Sequence, residues 1–283
     1  MKGRYAALAL MLLCMLLPAY GRADVREQIE AHRDTSVLVE VPGRGRMKLY
    51  PQTNPRYAYM KFEYKESRTR RDFGEGGCAP CAAAMALSTL KEARDMLLLN
   101  EHTANGKPFS ICVHAVNAWD CDVCTERMNI VTEADMETYL PVVLGAYACG
   151  NNDLGIRWRR ASRSVGGSGG VNAAFLAEAA ALLGLKYQLL EDHPNAAWLD
   201  RIGPDAAAVC LSVSSPFTGG GHYVTVVATD EKYMYILDPL AENRYDEEDD
   251  PMHILQVMEP GLVRVRRDLY RFLGFYTVHI VSR

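Results

Sequence analysis

The order of patterns along the chain predicts an α+β fold. Two Ala- and Leu-rich stretches with helical spacing, Ala79 to about Asn100 and Val171 to Leu183, come first. A run of β-branched and aromatic segments follows at Ala206 to Val213, His222 to Ala228, Tyr233 to Leu237 and Phe275 to Val281. Helices grouped ahead of strands predict an antiparallel sheet rather than strands wound through βαβ units.

At the start of the chain, Lys2 and Arg4 precede an apolar run from Tyr5 to Leu17, then Pro18 and the small-residue site Gly21-Arg22-Ala23. This is the pattern of an export signal, and cleavage after Ala23 would start the mature protein at Asp24. The run of 13 residues is shorter than the ~18 to 20 that cross a bilayer. No stable membrane span is therefore expected after cleavage. The bulky Met11-Leu12-Leu13 before Cys14 disfavours a lipid anchor. The expected location is secreted, periplasmic or otherwise extracytoplasmic.

Residues 24–70 are polar and Arg-rich, with an alternating stretch Ser36 to Val41 that stops at Pro42-Gly43. They read as an N-terminal accessory segment ahead of one domain, 71–283. Phe73-Gly74-Glu75-Gly76-Gly77 reads as a flexible loop, which puts Cys78 at or just before a helix start. Residues 101 to 165 carry four cysteines and several turns and read as a Cys-rich insertion. Gly166 to Gly170 is a hinge or tight loop, and Gly184 closes the second helix.

A hydrophobic content of 49% is ample for a packed core. The net charge of -4, with no basic stripe interleaved with aromatics, excludes nucleic acid as an expected partner. The acidic cluster Asp246 to Asp250 reads as a solvated loop. No cofactor is implied.

Beyond Ala23 the chain holds seven cysteines: Cys78, Cys81, Cys112, Cys121, Cys124, Cys149 and Cys210. An odd number leaves at least one thiol unpaired within the chain. Cys112, Cys121, Cys124 and Cys149 are the disulfide candidates for an oxidising compartment. A zinc site on these with His114 is disfavoured because only one close pair, Cys121 and Cys124, is present where two are needed. No metal site is assigned. Cys81 is placed to pair with Cys210 or an insertion cysteine, or with Cys78, which would mask Cys78 until reduced.

A thiol at a helix start meets the positive end of the macrodipole and unsatisfied amides, which favour the thiolate. Cys78 has that placement, and its own amide is placed to help hold a tetrahedral oxyanion. A base is supplied by His222, which opens a strand after Gly219-Gly220-Gly221. Asp238 closes the next strand 16 residues on, a spacing that lets adjacent strands bring it beside the imidazole to orient it. The other histidines, His32, His102, His193, His253 and His279, lack such a setting and read as structural or solvated. Trp198, Tyr223 and Phe217 are candidates to line the cleft.

Taken together, Gly77-Cys78-Ala79-Pro80 with Ala82 to Leu87, then Gly221-His222-Tyr223-Val224, then Leu237-Asp238-Pro239, resembles the papain-like cysteine peptidases typified by the bacteriocin leader peptidases that cut after double glycine. The likeness covers roughly residues 70 to 100 and 165 to 283. It implies a papain-like fold, with an N-terminal helical half presenting Cys78 as nucleophile and an antiparallel sheet half carrying His222 as base and Asp238 as orienter. It implies a thiol protease or related amide hydrolase acting on a peptide or protein substrate through an acyl-enzyme. Such families place a glutamine about six residues before the cysteine as an oxyanion donor, where this chain has Asp72. A carboxylate repels an oxyanion unless protonated.

Two other readings stay open. One is a catalytically inactive module that keeps the fold to bind peptide, favoured by Asp72. The other is a thiol-disulfide oxidoreductase using Cys78-Ala79-Pro80-Cys81, which needs a strand leading into the first cysteine and leaves His222 and Asp238 without a role.

Overall fold

The computed structural model describes residues 37–58, 61–64, 69–101, 110–112, 127–148, 173–213, 216–217, 221–242, 245, 250 and 252–283. The stretches read as export signal and hinge, 1–23 and 166–170, lie outside them, as do Cys121, Cys124 and Cys149. Residues from Ser36 to Arg283 form one compact unit. It combines helices with antiparallel sheets, the α+β class the sequence predicts.

The chain enters through a hairpin of β1 (Val37–Val41) and β2 (Gly45–Leu49), followed by a short pair, β3 (Lys61–Tyr64) and β4 (Thr69–Asp72). A helical turn, Phe73–Gly76, leads into α1 (Cys78–Ser88). Every residue of α1 from Ala79 to Leu87 is buried, so the helix is apolar all round, as a helix enclosed by its neighbours must be. Its alanines let it lie close to the sheet, where Thr225 Oγ1 donates to Ala82 O at 2.8 Å.

The helix predicted to reach Asn100 stops at Ser88 and resumes as short turns, Ala93–Met96 and Leu98–Glu101. Thr89 supplies the reason, because its hydroxyl bonds Ala86 O at 2.7 Å and competes with the backbone. The Arg283 guanidinium then takes Leu90 O from two nitrogens, at 3.1 and 2.9 Å.

Within the segment expected as an insertion, β5 (Ser110–Cys112) pairs with β6 (Arg127–Asn129). After them, α2 (Glu133–Ala148) packs against α1 and buries Met136, Leu140, Val143 and Leu144 completely. Thr132 and Asp135 form a reciprocal cap at its start: Asp135 N–H donates to Thr132 Oγ1, and Thr132 N–H donates to the Asp135 carboxylate, both at 3.1 Å. The second predicted helix is α3 (Leu176–Leu182).

The remaining strands are β7 (Lys186–Leu190), β8 (Ala206–Ser212), β9 (His222–Thr229), β10 (Tyr233–Leu237), β11 (Gln256–Glu259), β12 (Leu262–Arg266) and β13 (Phe275–Ser282). They form one antiparallel sheet in the order β11-β12-β10-β9-β8-β13-β7. The central β8 and β9 are buried along nearly their whole length. Helix α1 covers one face, where Thr225 points. The other face carries the main core, in which Ala208, Cys210, Val224 and Val226 meet Trp198, Phe217, Tyr270 and Phe275.

Candidate active site

The turn before Cys78, the start of β9 and the end of β10 meet at the start of α1. Phe73 to Gly77, expected as a flexible loop, is instead a helical turn with Phe73 wholly buried. Phe73 packs edge-on against Tyr57, with ring centroids 5.0 Å apart. The turn explains Gly77: a Cβ there would sit 2.4 Å from the Phe73 ring and 2.5 Å from its carbonyl oxygen. Close packing of the turn is what that position demands. Cys78 follows as the first residue of α1, half-buried, with an amide that has no acceptor within the helix.

His222 opens β9 after Gly221, whose φ of +85° is a conformation that glycine adopts freely. His222 is 3% exposed, and its Nε2 lies 2.6 Å from Asp238 Oδ1. Nδ1 is then the nitrogen left for Cys78, whose thiol is the ring's other hydrogen-bond partner.

Asp238 reaches the ring through an irregularity in the sheet. Leu237 pairs with Thr225 only because the register slips between Tyr235 and Ile236. Continued one residue, the slipped register sets Asp238 opposite Val224, on the same face as His222. The unslipped register would set it opposite Thr225, on the α1 face.

The Asp238 carboxylate is fully buried and held on every side. Oδ1 also accepts from Leu240 N–H at 2.8 Å, and Oδ2 accepts from the Tyr245 hydroxyl. The electrostatics follow from this arrangement. Burial alone lowers the His222 pKa, but the charge and hydrogen bond of Asp238, joined by Cys78, outweigh it and push the value up to about 10. Burial raises the Cys78 thiol, yet the His222 hydrogen bond and charge, with the amides of Tyr223 and Ala79, bring it below its ordinary value. Thiolate and imidazolium therefore stabilise each other.

The sequence-predicted residues Cys78, His222 and Asp238 thus come together. Asp72 ends β4 half-buried, immediately before the helical turn that leads to Cys78. Of the proposed cleft residues, Trp198 and Phe217 lie in the core, with Trp198 Nε1 donating to the Tyr270 hydroxyl at 2.9 Å. Tyr223 is buried beside the site, where its amide bonds Cys78.

Cys81 and Cys210, considered as a pair, are both free thiols, as is Cys78. Cys81, on α1, interacts with Tyr57, while Cys210 faces the core on the opposite side of the sheet, so the sheet separates them. The side chains of Cys112, Cys121, Cys124 and Cys149 fall outside what the structure describes.

Two residues escaped the sequence reading. Tyr245 lies beside the acidic cluster expected as a solvated loop. Gln52 lies in the polar lead-in, yet it is buried and ties the two halves of the site together. Its side chain donates to Gly74 O at 2.6 Å, and its own N–H donates to Pro239 O at 2.9 Å. No local pattern marks either residue.

A scan against protein-family models finds none that matches the chain, and a search of curated proteins finds no match either.

Proposed function

We propose that the chain is a papain-like cysteine hydrolase that opens a peptide or amide bond through an acyl-enzyme on Cys78. The observation that carries this reading is the connected chain of Cys78, His222 and Asp238, with a thiol below and an imidazole above their ordinary pKa values. The Cys78 thiolate attacks the substrate carbonyl carbon. The Cys78 amide at the helix start is the candidate to stabilise the oxyanion. His222 Nδ1–H protonates the leaving amine, and the thioester remains. The neutral ring then takes a proton from water, or from an acceptor amine, as that nucleophile attacks the thioester and releases the thiolate. The export signal expected in 1–23 places the substrate outside the cytoplasm on this reading.

Asp72 in the place of a glutamine supports a second reading, in which the same cleft binds peptide without cleaving it. Limiting iodoacetamide across pH 4 to 9, with the modified residue mapped, tests the first requirement of hydrolysis. Cys81 and Cys210 are fully buried, so Cys78 is the accessible thiol among the three described free cysteines. Preferential labelling of Cys78 below pH 7, lost in His222→Ala, is the expected result. Labelling that follows an ordinary thiol of pKa ~8.5, whatever stands at 222, would leave the binding reading in its place.

A further inference from the structure

The proposed reaction makes no direct use of a phenol, yet the Tyr245 hydroxyl donates to Asp238 Oδ2. Tyr245 is 8% exposed, and its backbone φ is +47°, a left-handed conformation that bulky residues avoid. Its ring meets Phe217 edge-on, with centroids 6.0 Å apart, and Phe217 in turn lies 6.4 Å from the His222 ring. Burial, the Asp238 charge and the hydrogen bond itself hold the phenol far above its ordinary pKa, so the hydroxyl remains a donor.

Asp238 needs that donor. Oδ1 already serves His222 Nε2 and Leu240 N–H. Without Tyr245, Oδ2 would lose the donor shown for it inside a fully buried site, which is costly. A carboxylate in that position turns to recover a donor, and turning takes Oδ1 off the imidazole. A strained backbone that delivers one hydroxyl to one oxygen fits a positioning role.

We propose that Tyr245 is a positioning residue of the active site: its hydroxyl locks the Asp238 carboxylate in the rotation that supports the His222 imidazolium, and through it the Cys78 thiolate. This inference rests on the hydrolase reading of the triad. Among the described residues, the titratable groups facing the site include Cys78 and Cys81 from α1, His222 and Tyr223 on β9, and Asp238 after β10; Tyr223, like Tyr245, is a phenol held protonated by burial, and burial raises the Cys81 thiol.

The test is Tyr245→Phe, which keeps the ring and removes the hydroxyl. Iodoacetamide alkylation of Cys78 from pH 4 to 10 reports two steps, the lower for formation of the thiolate-imidazolium pair and the upper for loss of the imidazolium proton. In Tyr245→Phe the lower step is expected to rise and the upper to fall, each by about half to one pH unit, with alkylation at pH 5 slowed roughly threefold or more. Added to Asp238→Asn, the same change should cost less than about twofold further, because both act through one carboxylate. Unmoved steps, even with a lower melting temperature, would mean that the hydroxyl serves packing alone and would overturn the inference, as would additive effects in the double variant. A wild-type profile with a single ordinary thiol step would overturn the hydrolase reading itself, and this inference with it.

Discussion

Two histidines, His222 and His279, are buried to almost the same degree, 3% and 4% exposed, on β9 and β13 of one sheet with only β8 between them. Their protonation is opposite. His279 has burial acting on it and no charged partner among the described residues; its Nδ1 pairs with the Tyr187 hydroxyl at 2.8 Å, and its pKa falls to about 4. His222 suffers the same burial but faces Asp238 and Cys78, and its pKa rises to about 10. Burial therefore sets the baseline and the ionised partner decides the sign. A buried histidine in this sheet becomes a catalytic candidate through the carboxylate beside it, not through its depth.

The largest expected effect comes from abolishing that difference. Asp238→Asn keeps the shape and removes the charge, so His222 should move toward the condition of His279. Cys78 alkylation near pH 5.5 is then expected to slow by about a hundredfold or more. Retention of the wild-type rate would detach the thiol from the carboxylate.

Next in size is the effect on stability, where the two rings have opposite slopes. His279 is depressed below the ordinary 6.5, so its contribution is fully present above pH 6.5 and is lost as pH falls through 4. The loss reaches up to ~3 kcal/mol, at ~1.4 kcal/mol per pKa unit. His222 is raised, so its contribution is fully present below pH 6.5 and is lost as pH rises toward 10. Urea midpoints measured from pH 4 to 10 should show His279→Gln flattening the acid side alone. An acid slope identical to wild type would rule out His279 as its source.

A smaller effect is expected from giving His279 an acid. Tyr187→Glu should raise its pKa by about one unit or more, followed through the histidine ring protons by NMR; an unchanged titration would show that proximity without the right geometry is ineffective. Smallest of all is Cys81→Ala. The Cys81 thiol is fully buried and burial raises its pKa, so Cys78 alkylation should change less than about twofold. Thiol-disulfide exchange through Cys78 and Cys81 would instead be abolished, so the variant separates the two chemistries.

The parts of the fold and site that were legible in the sequence are those with local signatures. Cys78 follows two glycines and opens an Ala-rich stretch, and His222 and Asp238 stand at strand ends marked by Gly221 and Pro239. Helix α2 also had a local mark, the Thr132 to Asp135 capping pair, but Pro141 inside it and the cysteines around it pointed toward irregular structure. The β11 and β12 hairpin carried its own turn, Pro260-Gly261, and was overlooked for want of strict alternation in the flanking strands. Gln52 and Tyr245 had no local mark at all. Their importance lies in contacts to Gly74, Pro239 and Asp238, and nothing in the residues beside them encodes those partners.

By itself the sequence determined which chemistry was on offer: a thiol at a helix start, an imidazole at a strand start, and a carboxylate 16 residues on at the end of the next strand. Whether that carboxylate met the imidazole was decided only in the folded sheet. Side chains alternate between faces along a strand, so one residue of slip moves a group to the other side. The slip between Tyr235 and Ile236 aligns Asp238 with the His222 face, and the Leu240 amide and the Tyr245 hydroxyl then meet its oxygens from the chain that follows it. Register depends on the pairing of whole strands and on the helix packed across them, and that is a property of the assembled fold rather than of any segment within it.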